Sequence, residues 1–232
     1  MATTSDRDNK PPSLGKLLHE GPALARLILS QLRRAPAWAR HGGDGRPVLV
    51  IPGFLANDAA TSLLRRTLEA AGFRAFGWAH GTNRGARRDT LDRLAARLDR
   101  VIAQAGRPVA LVGWSLGGLY ARELARRRPD DVDLVATLGT PFAVDFRANN
   151  AWRLYELVND HKVDDPPIPI ELDDKPPVRT VALWSRRDGI VAPASARGTA
   201  NGADETIEVD CTHMEFVSDP RALRAILDLL RR

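Results

Sequence analysis

Two kinds of hydrophobic pattern alternate along the chain. Short apolar runs bounded by turn residues are typical of buried strands, and longer segments with an apolar residue every three or four positions are typical of helices with one apolar side. Strands are predicted at residues 47–52, 74–79, 108–113, 133–138, 178–184 and 205–210, and helices at 58–71, 87–105, 116–128 and 219–231. This alternation predicts an α/β protein with about six mostly parallel strands flanked by helices.

The predicted α/β domain spans residues 46–232 and follows two segments of different character. Residues 1–12 are polar and are predicted to be a disordered tail. Residues 13–40 are predicted to form a helical extension. Within the domain, residues 142–177 hold one helical stretch and a Pro-rich stretch. Because this insertion is too short for a full cap domain, we expect a short lid or pocket wall.

The helical extension has two interpretations. Its apolar residues recur at helical spacing at Leu14, Leu17, Leu18, Leu24, Leu27, Ile28 and Leu32, with Lys16, Arg26, Arg33 and Arg34 beside them. Such a stripe normally faces the helix's own domain, so packing on the core is the favoured interpretation. The alternative is an interfacial helix over residues 14–32 that rests on anionic lipid as a peripheral membrane contact.

Composition narrows the range of partners. The 232 residues carry a net charge of +5 and one cysteine, Cys211. The arginines are dispersed and usually stand beside Asp or Glu, as on a solvated surface, so no nucleic-acid partner is expected. The sequence has no apolar run of 18 residues and no signal peptide, which predicts a cytoplasmic protein. It has no Gly-rich dinucleotide loop and no clustered metal ligands, so we expect no cofactor and no metal.

A Gly-Trp-Ser-Leu-Gly box at residues 113–117 joins the third predicted strand to the third predicted helix. In a G-x-S-x-G turn the serine adopts unfavourable backbone angles, and the flanking glycines remove the collisions that larger residues would cause. The serine hydroxyl is then exposed above the sheet. Ser115 is therefore the candidate nucleophile.

A serine hydroxyl needs a base, and the base needs a carboxylate that orients it. In chains with this turn, the acid and then the histidine follow the serine. Only His161 and His213 follow Ser115 among the five histidines. His161 lies in a polar stretch and is predicted to be a solvated loop residue, whereas His213 follows the sixth predicted strand. His213 is therefore the candidate base.

The candidate acid is Asp188, in the turn directly after the fifth predicted strand. The competing carboxylates are Asp173, Asp174, Asp204, Glu205 and Asp210. The first two precede the fifth strand and would lie at its wrong end. Asp210 is so close to His213 that one loop would have to supply both groups. Asp188 is the carboxylate best placed to orient the base.

Two backbone N–H groups must also face the oxyanion that forms when the serine attacks a carbonyl carbon. One is predicted to be that of Leu116, directly after the nucleophile, and the other that of Phe54, in the loop after the first predicted strand. His80 precedes a glycine in a rival position. Because it follows the second strand, we expect His80 to be a structural or pocket-rim residue.

Five stretches resemble α/β-hydrolases of the bacterial lipase and esterase kind: residues 48–54, 113–118, 138–141, 187–191 and 211–213. They cover the chain from about Pro47 to its end. The resemblance implies the α/β-hydrolase fold, with Ser115 as nucleophile, Asp188 as orienting acid and His213 as base. It also implies the same two oxyanion donors. Pro52 departs from the family pattern because many lipases carry a histidine there, so any supporting role of that histidine is absent.

The expected activity is hydrolysis of a carboxylic ester, of a small molecule or a lipid, through an acyl-enzyme on Ser115. Thioesterase and acyltransferase chemistry use the same three residues and stay open, as does an inactive interaction protein on the same scaffold. Phe142, Phe146 and Trp152 lie in the predicted lid and are expected to contact the substrate at an open apolar site. Acyl chains of short to medium length are expected.

Overall fold

Six parallel strands form the centre of the structure, a computed structural model that describes residues 10–40, 42–143 and 147–232. The strands are β1 Pro47–Ile51, β2 Arg74–Gly77, β3 Val109–Trp114, β4 Val132–Leu138, β5 Arg179–Trp184 and β6 Glu205–Glu208. Their order across the sheet is β2-β1-β3-β4-β5-β6, and every neighbouring pair is parallel. The six-stranded parallel sheet predicted from the sequence is confirmed.

The sheet separates two hydrophobic cores because successive side chains of a strand point to opposite faces. In β1, Val48 and Val50 join the core on one side, and Leu49 and Ile51 join the core on the other. All four side chains are fully buried. A parallel strand covered on both faces needs such an uninterrupted apolar run, which is why β1 could be predicted.

Helices cover both faces of the sheet. Among the described residues they are α1 Leu14–Ser30, α2 Ser62–Ala70, α3 Thr90–Ala105, α4 Leu116–Arg127, α5 Trp152–Val158, α6 Pro193–Arg197 and α7 Pro220–Leu230. α2 and α7 pack on one face, and α3 and α4 pack on the other. The predicted lid holds α5. α6 was not predicted, because five residues are too few to show a helical period.

α2 begins at Ser62, four residues later than predicted. Side chains hold the preceding residues in turns. Asn57 Oδ1 accepts hydrogen bonds from two backbone N–H groups of its own turn, and the Asp58 carboxylate accepts two from the backbone just after β2. Asn and Asp side chains compete with helical hydrogen bonding in this way, so the helix starts only after them.

α1 docks on the domain through a different face from the one that its leucines predict. Its buried residues are Glu20, Ala23, Leu27 and Ser30. Its exposed apolar residues and the adjoining Leu32 form an apolar stripe: Leu14, Leu18, Leu24, Ile28, Leu29 and Leu32. The expectation that the leucines pack on the core is therefore wrong for most of them. In the described ranges no helix combines the length and apolarity that crossing a bilayer requires.

The carboxyl ends of the strands meet at one edge of the sheet, where α/β proteins place their ligand sites. Four loops of this edge carry the residues singled out by the sequence. Phe54 follows β1, Ser115 follows β3, Asp188 follows β5 and His213 follows β6. The topology alone therefore brings the candidate nucleophile, acid, base and oxyanion donor to the same end of the domain.

Candidate active site

Ser115 lies on the sharp turn between β3 and α4 with φ 55° and ψ −124°. This conformation is costly for a residue with a side chain and persists only where its surroundings enforce it. Two hydrogen bonds do so: the Ser115 N–H donates to Leu138 O at 2.8 Å, and the Thr140 hydroxyl donates to Ser115 O at 2.9 Å. The loop after β4 therefore supports the turn that presents the serine side chain.

Close backbone contacts explain the two glycines of the turn. A Cβ on Gly113 would lie 2.4 Å from Gly117 O, and a Cβ on Gly117 would lie 2.4 Å from Ile51 O. These distances are far inside van der Waals contact, and the opposing atoms belong to the backbone. A larger residue at Gly117 would push the turn away from β1, and a larger residue at Gly113 would push the first turn of α4 away from β3. The predicted reason for these glycines agrees with the geometry.

Asp188 and His213 form a buried hydrogen-bonded pair. His213 Nδ1–H donates to Asp188 Oδ2 at 2.8 Å, and the two side chains are 3% and 0% exposed. The other carboxylate oxygen of Asp188 accepts from the backbone N–H groups of Ile190 and Val191 at 2.8 and 2.7 Å. With the carboxylate fixed in this way, the imidazole is held in one orientation and Nε2 is the atom that can take up a proton.

The surroundings of His213 raise the pKa of its imidazole above the usual value. Burial is the largest single effect and lowers this pKa, but the Asp188 carboxylate beside the ring and the Glu20 carboxylate together raise it by more. The raised pKa makes His213 a stronger base than an imidazole in water. Such a group suits the removal of a proton from a serine hydroxyl.

The loop of His213 is tied to the serine turn by Trp114. The Trp114 Nε1–H donates to His213 O at 3.1 Å, and the two rings lie 5.9 Å apart. The hydroxyl of Thr212 and the carboxylate of Glu215 form a capping box that fixes the 3₁₀ turn at residues 213–215. Ser115 and His213 then line one groove. Trp114, the residue before Ser115, therefore holds His213 beside the serine turn.

The backbone amides of Phe54 and Leu116 are available to bind an oxyanion. A Cβ on the preceding Gly53 would lie 3.1 Å from Ser115 Cβ, so the loop after β1 passes directly against the serine. Leu116 opens α4, where N–H groups lack helical partners and the helix dipole favours negative charge. Neither N–H donates a hydrogen bond to any residue that the structure describes. The arrangement thus offers two unpaired donors next to Ser115.

Two spaces meet at Ser115. A narrow cavity of about 60 Å³ lies under the lid and is lined mainly by apolar side chains, including Leu119 and Trp152. A wider groove of about 600 Å³ runs between α1, the loop after β1 and α5. Ser115 and Phe54 line both spaces, whereas His213 lines the groove and not the cavity. The two sides of a bound substrate would therefore meet different surroundings.

Of the three aromatic residues predicted to contact the substrate, the structure brings Trp152 to the cavity wall. Phe142 is not in either space: it is fully buried in the cluster of Leu119, and the guanidinium of Arg122 lies 4.2 Å from its ring centroid. The assignment of Phe142 is wrong because a buried cation occupies its aromatic face. Phe146 lies outside the described residues.

Two other histidines have structural positions. His80 Nε2 lies 3.2 Å from Arg93 O, and the ring lines a polar pocket that is separate from the two spaces at Ser115. His161 is not the solvated residue that was expected. Its side chain is only 14% exposed, and its Nε2 lies 2.9 Å from the Tyr155 hydroxyl. Because Tyr155 lines the cavity, His161 supports the cavity wall.

Glu20 of α1 belongs to the surroundings of the acid–base pair, although no sequence pattern indicated it. Its carboxylate accepts hydrogen bonds from the backbone of Gly189 and His213, which lie 169 and 193 residues further along the chain. An acidic residue in a helix is ordinarily assigned to solvent, and no local pattern links it to such distant partners. The one available signal was its position on the helix, three residues before Ala23 and seven before Leu27.

No protein-family model matches the chain, and no curated protein matches its sequence. Its structure is similar to lipase B of Aspergillus fumigatus, with 19% identity and a TM-score of 0.53, over 86% of this chain and 56% of that one. It is similar to the mature lipase BlEst2 of Bacillus licheniformis, with 18% identity and a TM-score of 0.57, over 86% and 94% of the two chains. It is also similar to the thioesterase domain from the curacin biosynthetic pathway, with 15% identity and a TM-score of 0.54, over 83% and 93%.

The chain spans just over half the length of the Aspergillus lipase and more than nine-tenths of the other two chains. At identities below 20% these similarities concern the fold. The chain has the α/β-hydrolase fold.

Proposed function

We propose that the protein is a serine hydrolase that cleaves carboxylic esters through an acyl-enzyme. The observation that carries the proposal is the buried Asp188–His213 pair, with its 2.8 Å hydrogen bond, facing the groove that Ser115 also lines. A buried carboxylate that orients an imidazole beside a strained serine serves to activate a hydroxyl nucleophile. The lipases of similar fold are consistent with ester hydrolysis.

The reaction would proceed in two halves. Ser115 Oγ attacks the ester carbonyl while His213 Nε2 takes the hydroxyl proton, and the amides of Phe54 and Leu116 bind the oxyanion. His213 then gives the proton to the alcohol oxygen, and the C–O bond to the alcohol breaks. Water attacks the acyl-serine with His213 again as base and releases the acid. Each oxyanion donor is worth roughly 3 kcal/mol of transition-state stabilisation.

Reaction with a fluorophosphonate tests the proposal, because such a probe forms a stable bond only with an activated serine. We expect labelling of the native chain at Ser115, mapped by mass spectrometry. A native, folded chain that is not labelled would favour the alternative of an inactive interaction protein on this fold.

We infer from the position of His213 which space takes which part of the ester. The alcohol oxygen must lie within reach of His213 because this residue protonates the leaving group. His213 lines the groove and not the cavity. The alcohol therefore occupies the wide groove, and the acyl group occupies the narrow cavity under the lid.

The size of the cavity then limits the acyl chain. A volume of about 60 Å³ holds about four to six water-sized groups, since one such group needs about 10–15 Å³. We expect p-nitrophenyl acetate and butyrate to be cleaved with a kcat/KM at least about tenfold higher than the decanoate, because methylenes beyond the capacity of the cavity must displace the side chains of its wall, which costs about 1–3 kcal/mol. A chain-length series of p-nitrophenyl esters measures this.

A thioesterase is the alternative, because the curacin-pathway thioesterase domain has a similar fold. The same chain-length series with acyl-CoA thioesters distinguishes a thioesterase from an esterase. Turnover of thioesters without turnover of oxygen esters would replace the proposal by a thioesterase. Acyl transfer to an added alcohol in preference to water would indicate an acyltransferase.

The exposed apolar stripe of α1 supports a lipid surface as a peripheral partner. Leu32 is 87% exposed and Leu18 is 78% exposed, and the exposed Arg33 and Arg34 directly follow Leu32. Ile28 continues the stripe to the wall of the groove. An apolar helix face with cationic neighbours binds anionic membranes. We therefore propose that this face of α1 rests on anionic lipid and that apolar esters enter the groove from it.

The full chain is expected to co-sediment with phosphatidylglycerol vesicles at low salt and to lose this binding in the double variant Leu18→Gln/Leu32→Gln. Neither leucine lines the cavity or the groove, so hydrolysis of a soluble butyrate ester should stay within about twofold of the native rate. Phosphatidylcholine vesicles are the control for charge. Native protein that stays in the supernatant with anionic vesicles would rule the lipid contact out.

A further inference from the structure

A carboxylate from the N-terminal helix lies between the loops that carry Asp188 and His213. Glu20 of α1 is 4% exposed. Its Oε1 accepts hydrogen bonds from the backbone N–H groups of Gly189 and His213, both at 2.8 Å, and its Oε2 accepts from that of Met214 at 3.0 Å. One side chain thus binds the residue after the acid and the base itself.

Close packing lets α1 reach these loops. A Cβ on Gly189 would lie 2.4 Å from Lys16 O and 2.9 Å from Glu20 Cγ, so a larger residue would push the acid loop off the helix. A second contact lies nearly two turns further along α1, where Arg26 Nε donates to Glu215 Oε1 at 2.8 Å. α1 is therefore attached to the acid loop and to the base loop at once.

Backbone hydrogen bonds satisfy both oxygens of the Glu20 carboxylate. Burying a carboxylate is costly unless its oxygens are hydrogen-bonded, and three backbone N–H groups meet that need here. Among the residues that the structure describes, no Lys or Arg side chain forms an ion pair with Glu20. Its negative charge is therefore felt by the amides that it binds and by the imidazole of His213.

We propose that Glu20 is a positioning residue for the acid–base pair. It clamps the two loops at the separation that the Asp188–His213 hydrogen bond needs, and it keeps the imidazole in a more negative environment. Glu20 lines neither the cavity nor the groove, so it acts through His213 rather than on the substrate. The inference rests on the proposed function, because a positioned base matters to turnover only if Ser115 uses it.

The groups around His213 fix the sign of the electrostatic effect. Burial lowers the pKa of His213, whereas Asp188 from the loop after β5 and Glu20 from α1 raise it. On its own segment, Cys211 is a buried thiol and Glu215 is paired with Arg26. Removing the Glu20 charge therefore lowers the pKa of His213, and the base stays unprotonated down to a lower pH.

The test compares Glu20→Gln with Glu20→Asp in the full chain. Glutamine keeps the length and one acceptor oxygen but loses the charge. We expect kcat to fall between about tenfold and a hundredfold with KM nearly unchanged, and the acidic limb of the kcat/KM profile to move to lower pH. Aspartate keeps the charge but is one methylene too short to hold both loops. Its kcat should fall while the acidic limb stays in place.

Ser30→Ala is the matched control for loosening the helix, because Ser30 is buried on the same face of α1 and its hydroxyl donates to Leu27 O. It should keep the native kcat and pH profile. An acidic limb that does not move in Glu20→Gln, or an equal loss of kcat in Ser30→Ala, would reduce Glu20 to a packing contact. If Glu20→Gln does not fold, a native kcat in Glu20→Asp would overturn the proposal.

Failure of the proposed function would be distinguishable from failure of this inference. NMR titration of the His213 ring reports its pKa without any turnover. A lower His213 pKa in Glu20→Gln, in a chain without Ser115-dependent turnover, would refute the esterase proposal and retain the electrostatic link. Equal His213 pKa values in the native chain and in Glu20→Gln, with Ser115-dependent turnover present, would refute only the inference about Glu20.

Discussion

Replacing Ser115 by alanine is expected to lower the turnover of p-nitrophenyl butyrate by a factor on the order of 10⁶, as loss of a nucleophile does in a serine hydrolase. The fold should be retained. The contacts that hold the turn, from Ser115 N–H to Leu138 O and from Thr140 to Ser115 O, use backbone atoms of residue 115 and survive the change. Release of p-nitrophenolate gives the rate, and circular dichroism checks the fold.

The matched control is Ser62→Ala. Ser62 lies in α2 and lines neither the cavity nor the groove. Its buried hydroxyl has no hydrogen-bond partner among the residues that the structure describes, so its loss should leave turnover within about twofold of native. Turnover that persists in Ser115→Ala would mean that another group attacks the ester. The assignment of Ser115 would then be abandoned.

The sheet could be predicted because its strands carry their own signal. β1 and β3 are buried on both faces, so every residue of these strands is apolar or glycine and the runs stand out from the turns around them. The residues of the candidate triad could be proposed from the sequence for a similar reason. Ser115, Asp188 and His213 each directly follow or closely trail a recognisable strand, and a parallel sheet places all such loops at one edge.

Side-chain partners that come from distant segments could not be predicted in the same way. Phe142 was expected at the pocket mouth because it is aromatic and near the lid, but its ring packs on Arg122, twenty residues earlier in the chain. His161 follows no strand, yet its imidazole lies within hydrogen-bond distance of the Tyr155 hydroxyl in the lid. Nothing in the neighbouring sequence specifies either contact.

The predicted orientation of α1 is wrong for a related reason. A helical stripe of leucines predicts an apolar face but not the surface that will cover it. The domain presents backbone N–H groups of the acid and base loops to α1, and these select the face that carries Glu20. The three hydrogen bonds of Glu20 and the buried side chains of Ala23 and Leu27 hold this face on the domain, and most of the leucines are left exposed.

Replacing Asp188 by asparagine is expected to lower kcat by a factor on the order of 10⁴, the loss seen when a triad aspartate is changed in this way. An amide group facing Nδ1 would favour the imidazole tautomer that carries its proton on Nε2, so the ring could not accept the proton of Ser115. The remaining oxygen can still accept from Ile190 and Val191, which should preserve the loop. Because a charge that raises the pKa of His213 is removed, the acidic limb of residual activity should move to lower pH.

Asp210→Asn separates this effect from a general loss of charge near the base. Asp210 was a competing candidate, lies three residues before His213, and is exposed in ion pairs with Arg187 and Arg221. Exposed pairs contribute little, so its variant should keep kcat within about twofold of native. The pH–rate profiles of both variants, measured on one soluble ester, decide between the two carboxylates. A large loss in Asp210→Asn beside native turnover in Asp188→Asn would transfer the orienting role to Asp210.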